Sequence, residues 1–251
     1  MRVTPWEAAA VFAAGVGAGA INAVVGSGSL ITFPTMLAVG FPPIVANVSN
    51  NVGLVPGGVT GVLGYRAELK GQRERLLRLG VASVIGSLAG GVLLLLLPAE
   101  AFKVIVPVLI AVACLLVVFQ PRINEWLAAR RRPHPHGGPW LWLGVLGAGM
   151  YGGYFGAAQG IVLIGLLGSF LDEDLQRVNA AKNLLSLLVN TAAAVLFAFI
   201  APVDWIAVLL VALGSAAGGF LGARVGRRLP APLLRGFIVV VGIVAIVKLL
   251  S

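Results

Sequence analysis

The apolar positions of this chain come in long runs. They show neither the alternation of a half-buried strand nor the single stripe of an amphipathic helix. "GGVLLLLLP" (90–98) and "LLRGFIVVVGIVAIVKLL" (233–250) are typical. A helix needs about 20 such residues to cross a bilayer, whereas a transmembrane barrel would show short alternating strands. The runs predict spanning helices near 47–65, 79–97, 104–119, 183–200, 205–223 and 233–250. Two further apolar regions, 6–40 and 140–171, are interrupted by "GSGS" (26–29) and "GAAQG" (156–160). Each is read as a broken hairpin, two short segments that enter the membrane and return to the same side. Glycine at such a break permits close backbone approach and torsions that other residues avoid.

The pattern occurs twice. "GAINAVVGSG" (19–28) aligns with "GMYGGYFGAA" (149–158), placing Gly19 on Gly149 and Gly26 on Gly156. "NVSNN" (47–51) aligns with "NAAKN" (179–183), placing Asn47 on Asn179 and Asn51 on Asn183. "GSLAGG" (86–91) aligns with "GSAAGG" (214–219). Three matches in the same order indicate an internal duplication, with the boundary in "QPRINEWLAARRRPHPHGGP" (120–139). Residues 1–25 resemble a signal peptide in having Arg2, an apolar run and then small residues. Their counterpart deep in the chain argues against that reading.

Composition supports a bilayer setting: 59% of the 251 residues are hydrophobic and 11% charged, against about 25% charged in soluble domains. The net charge of +9 does not point to nucleic acid, because the basic residues cluster in short loops between apolar runs, the positive-inside pattern. The loops 66–78, 120–139 and 224–235 carry most of them and are assigned to the cytoplasm, which leaves "PAEAFK" (98–103) and "APVD" (201–204) outside. Of the 18 Lys and Arg, all but Arg2, Lys103 and Lys248 are then cytoplasmic. The first half begins outside and the second inside, with both termini outside. The expected fold is an all-α polytopic membrane protein of two inverted repeats, each a broken helical hairpin plus three transmembrane helices. Residues 1–119 form the first repeat, 120–139 a cytoplasmic linker and 140–251 the second repeat. Inverted repeats with broken helices are a transporter design, with substrate held near the midplane where the repeats meet.

The polar cluster in "IVANVSNNVG" (44–53) fits this picture, in a segment with no charged residue between Glu7 and Arg66. Asn47 and Asn51 are four apart and share a helix face, as do Asn179 and Asn183. Both pairs are expected at the start of the helix that follows a break, where free N–H groups and the positive end of the dipole attract anions. Asn amides add donors. The alternative is that these residues cap helices or bond between them. Lys182 stands where the first half has Asn50. It is either a cationic member of the site or a boundary lysine near "DEDLQR". The substrate-binding set is therefore Asn47, Asn51, Asn179, Asn183 and Lys182, with Gly26, Ser27, Gly28, Ser29 and Gln159 at the breaks. Asp172, Glu173 and Asp174 are read as loop caps or partners of Arg177.

Other readings are weaker. A nucleotide-binding loop lacks its GK[ST] and its preceding strand. His134 and His136 make a poor metal site without Cys or carboxylate support, so no metal and no cofactor are expected. Cys114, the single cysteine, is apolar filler. An enzyme would need a nucleophile and base within the membrane, and no His or carboxylate is available there. Gly86, Gly90, Gly214, Gly218, Gly222 and Gly226 recur at four-residue spacing and indicate tight helix packing, within the chain or across a homodimer seam.

"GAINAVVGSGSLITFPTMLAVGFPPIVANVSNNVG", followed by "GAGMYGGYFGAAQGIVLIGLL" and "LQRVNAAKNLL", resembles the sulfite exporter TauE/SafE family of bacterial membrane transporters over about residues 10–250. The second half departs from the pattern: "GAAQG" is poorer in glycine, and Ile164 stands where the first half has Pro34. The resemblance implies a multi-pass protein of the inner membrane. The implied activity is export of a small anion such as sulfite, sulfoacetate or a related organosulfur or sulfur-oxyanion species, by alternating access. The partners expected are that anion and the lipid bilayer, not nucleic acid. The alternatives are a carrier of another small anion, such as a carboxylate, or a membrane protein with no transport role.

Overall fold

The computed structural model describes residues 4–129 and 137–225 and, beyond them, only positions 236, 239, 240, 243, 244, 246 and 247. His134, His136, Gly226 and most of the expected span at 233–250 lie outside the described residues. Nine helices are named among the described residues: α1 (Pro5–Val24), α2 (Ser29–Val39), α3 (Pro43–Gly64), α4 (Arg73–Leu96), α5 (Ala99–Ala129), α6 (Gly138–Tyr154), α7 (Gln159–Phe170), α8 (Leu175–Ile200) and α9 (Trp205–Val225). No strand occurs among the described residues. Stretches in α1, α4, α5, α8 and α9 are long and apolar enough to cross a membrane. The outward faces of α4 and α9 are apolar, with Leu77, Val81 and Ile85 on one and Leu209, Leu213 and Phe220 on the other. This is a multi-pass membrane protein.

The breaks fall where glycine predicts them, and both are closed the same way. The N–H groups of Val25 and Gly26 donate to Ile21 O, and those of Phe155 and Gly156 to Tyr151 O. Gly26 (φ 83°) and Gly156 (φ 75°) then turn into the left-handed region, the usual exit from a helix. The return arms are short. Eleven residues in α2 and twelve in α7 rise about 16 and 18 Å at 1.5 Å per residue, roughly half the hydrocarbon core.

Several boundaries differ from expectation. The outgoing arms are not short, since α1 has 20 residues and α6 has 17. α5 runs on through Pro121 to Ala129, so the first half of the 120–139 segment is helix. α4 begins at Arg73, so Arg73, Arg75 and Arg78 are helical. α3 and α8 begin at Pro43 and Leu175, so Asn47 and Asn179 are the fifth residues of their helices, not the first. Start signals explain the last shift. Pro42–Pro43 supplies a proline at the first helical position, where its missing N–H costs nothing. The Asp174 side chain accepts from the N–H groups of Gln176 and Arg177.

The expected glycine packing lies within the chain. α9 lies along α1, and α4 along α6. A Cβ at Gly214, Gly218 or Gly222 would land on the carbonyls of Phe12, Val16 or Ala20. One at Gly86 or Gly90 would land on those of Leu146 or Met150. Gly90→Leu is therefore expected to cost more than the roughly 1–3 kcal/mol of ordinary overpacking, because backbone and not a rotamer must give way. A melt of the purified variant matching wild type would refute this.

Candidate functional site

The two breaks touch. Gly160 N–H, in the first turn of α7, donates to Gly26 O at 3.1 Å. A Cβ on Gly26 would overlap the Gly160 backbone. Glycine at both positions is what lets two interrupted helices meet backbone to backbone.

A helix interrupted in a membrane leaves carbonyls at its end without partners, and lipid offers none. Side chains of the polar clusters supply them across the two halves of the chain. Asn47 Nδ2 donates to Tyr154 O at 3.0 Å, closing the end of α6. Asn179 Nδ2 and Asn183 Nδ2 both donate to Ala23 O at 3.1 Å, closing the end of α1. Lys182 Nζ donates to Asn22 O at 2.8 Å in the same last turn. Lys182 is fully buried at 0% exposure. Basic side chains commonly bond the last carbonyls of a helix, and here that replaces a carboxylate partner. Two more members of the first cluster are fastened: Ser49 Oγ accepts from Asp204 N–H at 2.9 Å, and Thr32 donates to Asn50 Oδ1. Asn51 Oδ1 is buried without a partner.

Beside the touching breaks lies a cavity of about 40 Å³, room for about three waters at 10–15 Å³ each on the same measure. Of the sequence-derived set, Gly26, Ser29, Gln159 and Asn183 line it. Asn47, Asn51, Asn179, Lys182, Ser27 and Gly28 are not among its lining residues. Sequence reading missed Asn22, Ser186 and Asn190 in the wall. Asn183, Ser186 and Asn190 lie at i, i+3 and i+7 on one face of α8, a spacing that could have revealed them. The facing wall of α3 is Leu54, Gly57, Gly58 and Gly61, so the polar side chains come mainly from one side.

Among the described residues, no charged side chain lines the cavity. Gln159 and Ser186 belong to the wall; Gln159 Nε2 and Ser186 Oγ have no hydrogen-bond partner among the described residues, and the Gln159 amide lies against Gly152 of α6. The first residues of α2 and α7, Ser29 and Gln159, are both in the wall. Two positive helix ends, each worth about half an elementary charge, therefore converge on it. This corrects the sequence expectation: the helix starts at the cavity belong to α2 and α7. Those of α3 and α8 are occupied by Pro43 and by the anionic Asp174.

The α7–α8 link is tied to the start of α4. Arg75 Nη2 donates to Glu173 Oε1 at 2.7 Å, and Arg177 Nε to Glu173 Oε2. Arg177 Nη1 also reaches Lys70 O at 3.1 Å. Burial works against the Glu173 charge, but hydrogen bonds from Arg177 and Arg75, with their charges, outweigh it and hold the carboxyl below its ordinary value. A lowered folded-state value gives stability that is present above the unfolded value, about pH 4, and lost as pH falls through the folded one. Wild type should therefore lose melting temperature below about pH 4 more steeply than Glu173→Gln. Parallel acid limbs would contradict this.

A family model described as "Sulfite exporter TauE/SafE" matches residues 11–249. The chain belongs to the sulfite exporter TauE/SafE family. It is similar to "Probable membrane transporter protein YfcA" of Escherichia coli (strain K12), 27% identical over 99% of this chain and 91% of that protein. It is also similar to "Probable membrane transporter protein ORF9" of Sinorhizobium sp, 25% identical over 96% and 91%. A third relative is "Probable membrane transporter protein" of Haemophilus influenzae, 25% identical over 96% and 93%. No solved structure matches. Membership of TauE/SafE makes the chain a membrane transporter, and the touching breaks are this member's candidate site.

Proposed function

We propose that the protein is a secondary transporter that exports a small anion, sulfite, sulfoacetate or a related sulfur oxyanion, across the bacterial inner membrane. The observation that carries this reading is the uncharged cavity at the touching breaks. It joins two positive helix ends to a polar wall that includes Ser29, Gln159, Asn183, Ser186 and Asn190. Neutral donors and helix dipoles bind an anion without the strong hold of a direct ion pair, which suits a site that must also release.

Residues 1–119 and 140–251 act as inverted repeats on either side of the 120–139 linker, with both termini outside. Supporting this are the identical closures of the two breaks, 130 positions apart from Gly26 to Gly156, and the crossed pairing of α1 with α9 and α4 with α6. Alternating access follows if the pairs rock about the Gly26–Gly160 contact. Asn47, Asn179 and Lys182 hold the breaks in shape, while Ser29, Gln159, Asn183, Ser186 and Asn190 meet the substrate. Asn51, Ser27 and Gly28 act without lining the cavity.

Thermal stabilisation of the purified protein over a panel of anions tests the reading. A ligand at 100 times its Kd stabilises by about 2.7 kcal/mol. Sulfite or sulfoacetate should raise the melting temperature, and Gln159→Ala with Ser186→Ala should abolish the shift. Stabilisation by carboxylates alone would favour the carboxylate-carrier alternative. No shift with any anion, or an unchanged shift in the double variant, would remove the site from the cavity.

A further inference from the structure

A second cavity, of about 610 Å³, lies between α4 and α8 and belongs to neither break. Its walls include Leu69, Leu77, Val81 and Ile85 on one side and Leu184 and Leu188 on the other. Gly80 forms part of the floor, where a Cβ would meet Leu188 Cδ1 at 2.9 Å. Leu77, Val81 and Ile85 are exposed, so the groove opens sideways. From Arg73 to Ile85 it runs twelve residues along α4, about 18 Å at the helical rise. That is close to the depth of one leaflet of a roughly 30 Å hydrocarbon core.

One end of the groove is different. Arg73, the first residue of α4, is exposed and is its single charged lining residue among the described residues. Arg75 and Arg177, close by, are bound to Glu173, but no hydrogen bond or ion pair engages Arg73 among the described residues. The groove therefore offers an apolar slot one leaflet deep with a free cation at its mouth. The described part of the C-terminal segment does not line it; Val239 and Ile246 pack instead on a core cluster that contains none of the groove's lining residues.

We propose that this groove holds an acyl chain of an anionic glycerophospholipid whose phosphate sits on Arg73. Charge complementarity selects the occupant: a zwitterionic lipid fits the slot equally well, but its headgroup gains less from an unpaired guanidinium. The basic mouth also faces the leaflet assigned to the cytoplasm, where anionic lipid draws Lys and Arg.

Lipid retention in this groove is independent of the transported substrate. Protein purified in mild detergent is mixed with equal amounts of phosphatidylglycerol and phosphatidylethanolamine of the same acyl chains, and retained lipid is counted by native mass spectrometry. Wild type should prefer phosphatidylglycerol about fivefold, the value of one basic residue near a membrane surface. Arg73→Gln should lose that preference, and Val81→Trp should lower retention of both lipids by filling the slot. Arg73 is exposed, so its variant tests the idea even if Val81→Trp does not fold. Equal retention of the two lipids by wild type, or an unchanged preference in Arg73→Gln, overturns the proposal. So does efficient disulfide dimerisation of Val81→Cys in a Cys114→Ser background in membranes, which would show that a second copy covers this face.

Discussion

Lys182→Met is expected to lower anion transport about 5- to 150-fold while the protein remains folded. Met keeps the length of the side chain and fills its buried space, so the change removes the amine and little else. What is lost is the 2.8 Å bond to Asn22 O at the end of α1. A buried carbonyl left unpaired costs about 1–3 kcal/mol, and 1.4 kcal/mol is tenfold in an equilibrium. Asn22 passes the effect on, because its own Oδ1 accepts from Gly28 N–H at 2.7 Å on the far side of the break, and its side chain is in the cavity wall. Loosening Asn22 would therefore distort the wall of the proposed substrate site. Asn179→Ala should do less, because Asn183 donates to the same Ala23 oxygen and remains. Uptake or efflux in proteoliposomes, with a melt of each variant, separates the two effects. Full transport by Lys182→Met would show that the amine has no part in holding the site.

The breaks and the glycine seams were legible in the sequence because each depends on backbone geometry that only small residues allow. "GSGS" and "GAAQG" read as breaks because a positive φ and a backbone-to-backbone approach both call for glycine. Which group an Asn amide will meet is not a local property. Asn47 and Asn179 occupy matching places, and each closes a helix in the other half, but their partners lie 107 and 156 residues away in sequence. Sequence can say that a polar cluster in an apolar segment must be satisfied; it cannot say whether backbone or ligand satisfies it. The α8 stripe escaped notice for another reason. Asn183, Ser186 and Asn190 match Asn51, Leu54 and Gly58 in the first half, so a search guided by repetition passes over the last two. In the proposed reading, the positions where the two aligned stretches differ are where the site would carry its side-chain chemistry. Helix starts were misplaced because Pro43 and Asp174 are stronger local signals than the Asn clusters that follow them.

The membrane potential alone is expected to drive transport. The chain has no Asp or Glu between Glu7 and Arg66 and none in 175–203, and among the described residues the cavity wall carries no ionisable side chain. Proton-coupled carriers commonly relay through an intramembrane carboxylate or His, and nothing of that kind stands at this site. An exporter of anions does not require one. With the inside negative, each elementary charge moved outward gains about 2.3 kcal/mol per 100 mV. A dianion gains about twice that, enough to sustain an outward gradient of more than about a thousandfold at 1.4 kcal/mol per decade. A monoanion would reach roughly fortyfold by the same arithmetic, so the size of the limiting gradient also reports the charge of the transported species. In proteoliposomes clamped at fixed potential, sulfite or sulfoacetate efflux should persist with no proton or Na⁺ gradient and should reverse when the potential is reversed. A Na⁺ site built from carbonyls at the breaks would instead make efflux respond to a Na⁺ gradient at zero potential. A requirement for a proton gradient at zero potential would sink the prediction, and would send the search for a relay to the acidic link at 172–174, where Glu173 already bridges α4 and α8 through Arg75 and Arg177.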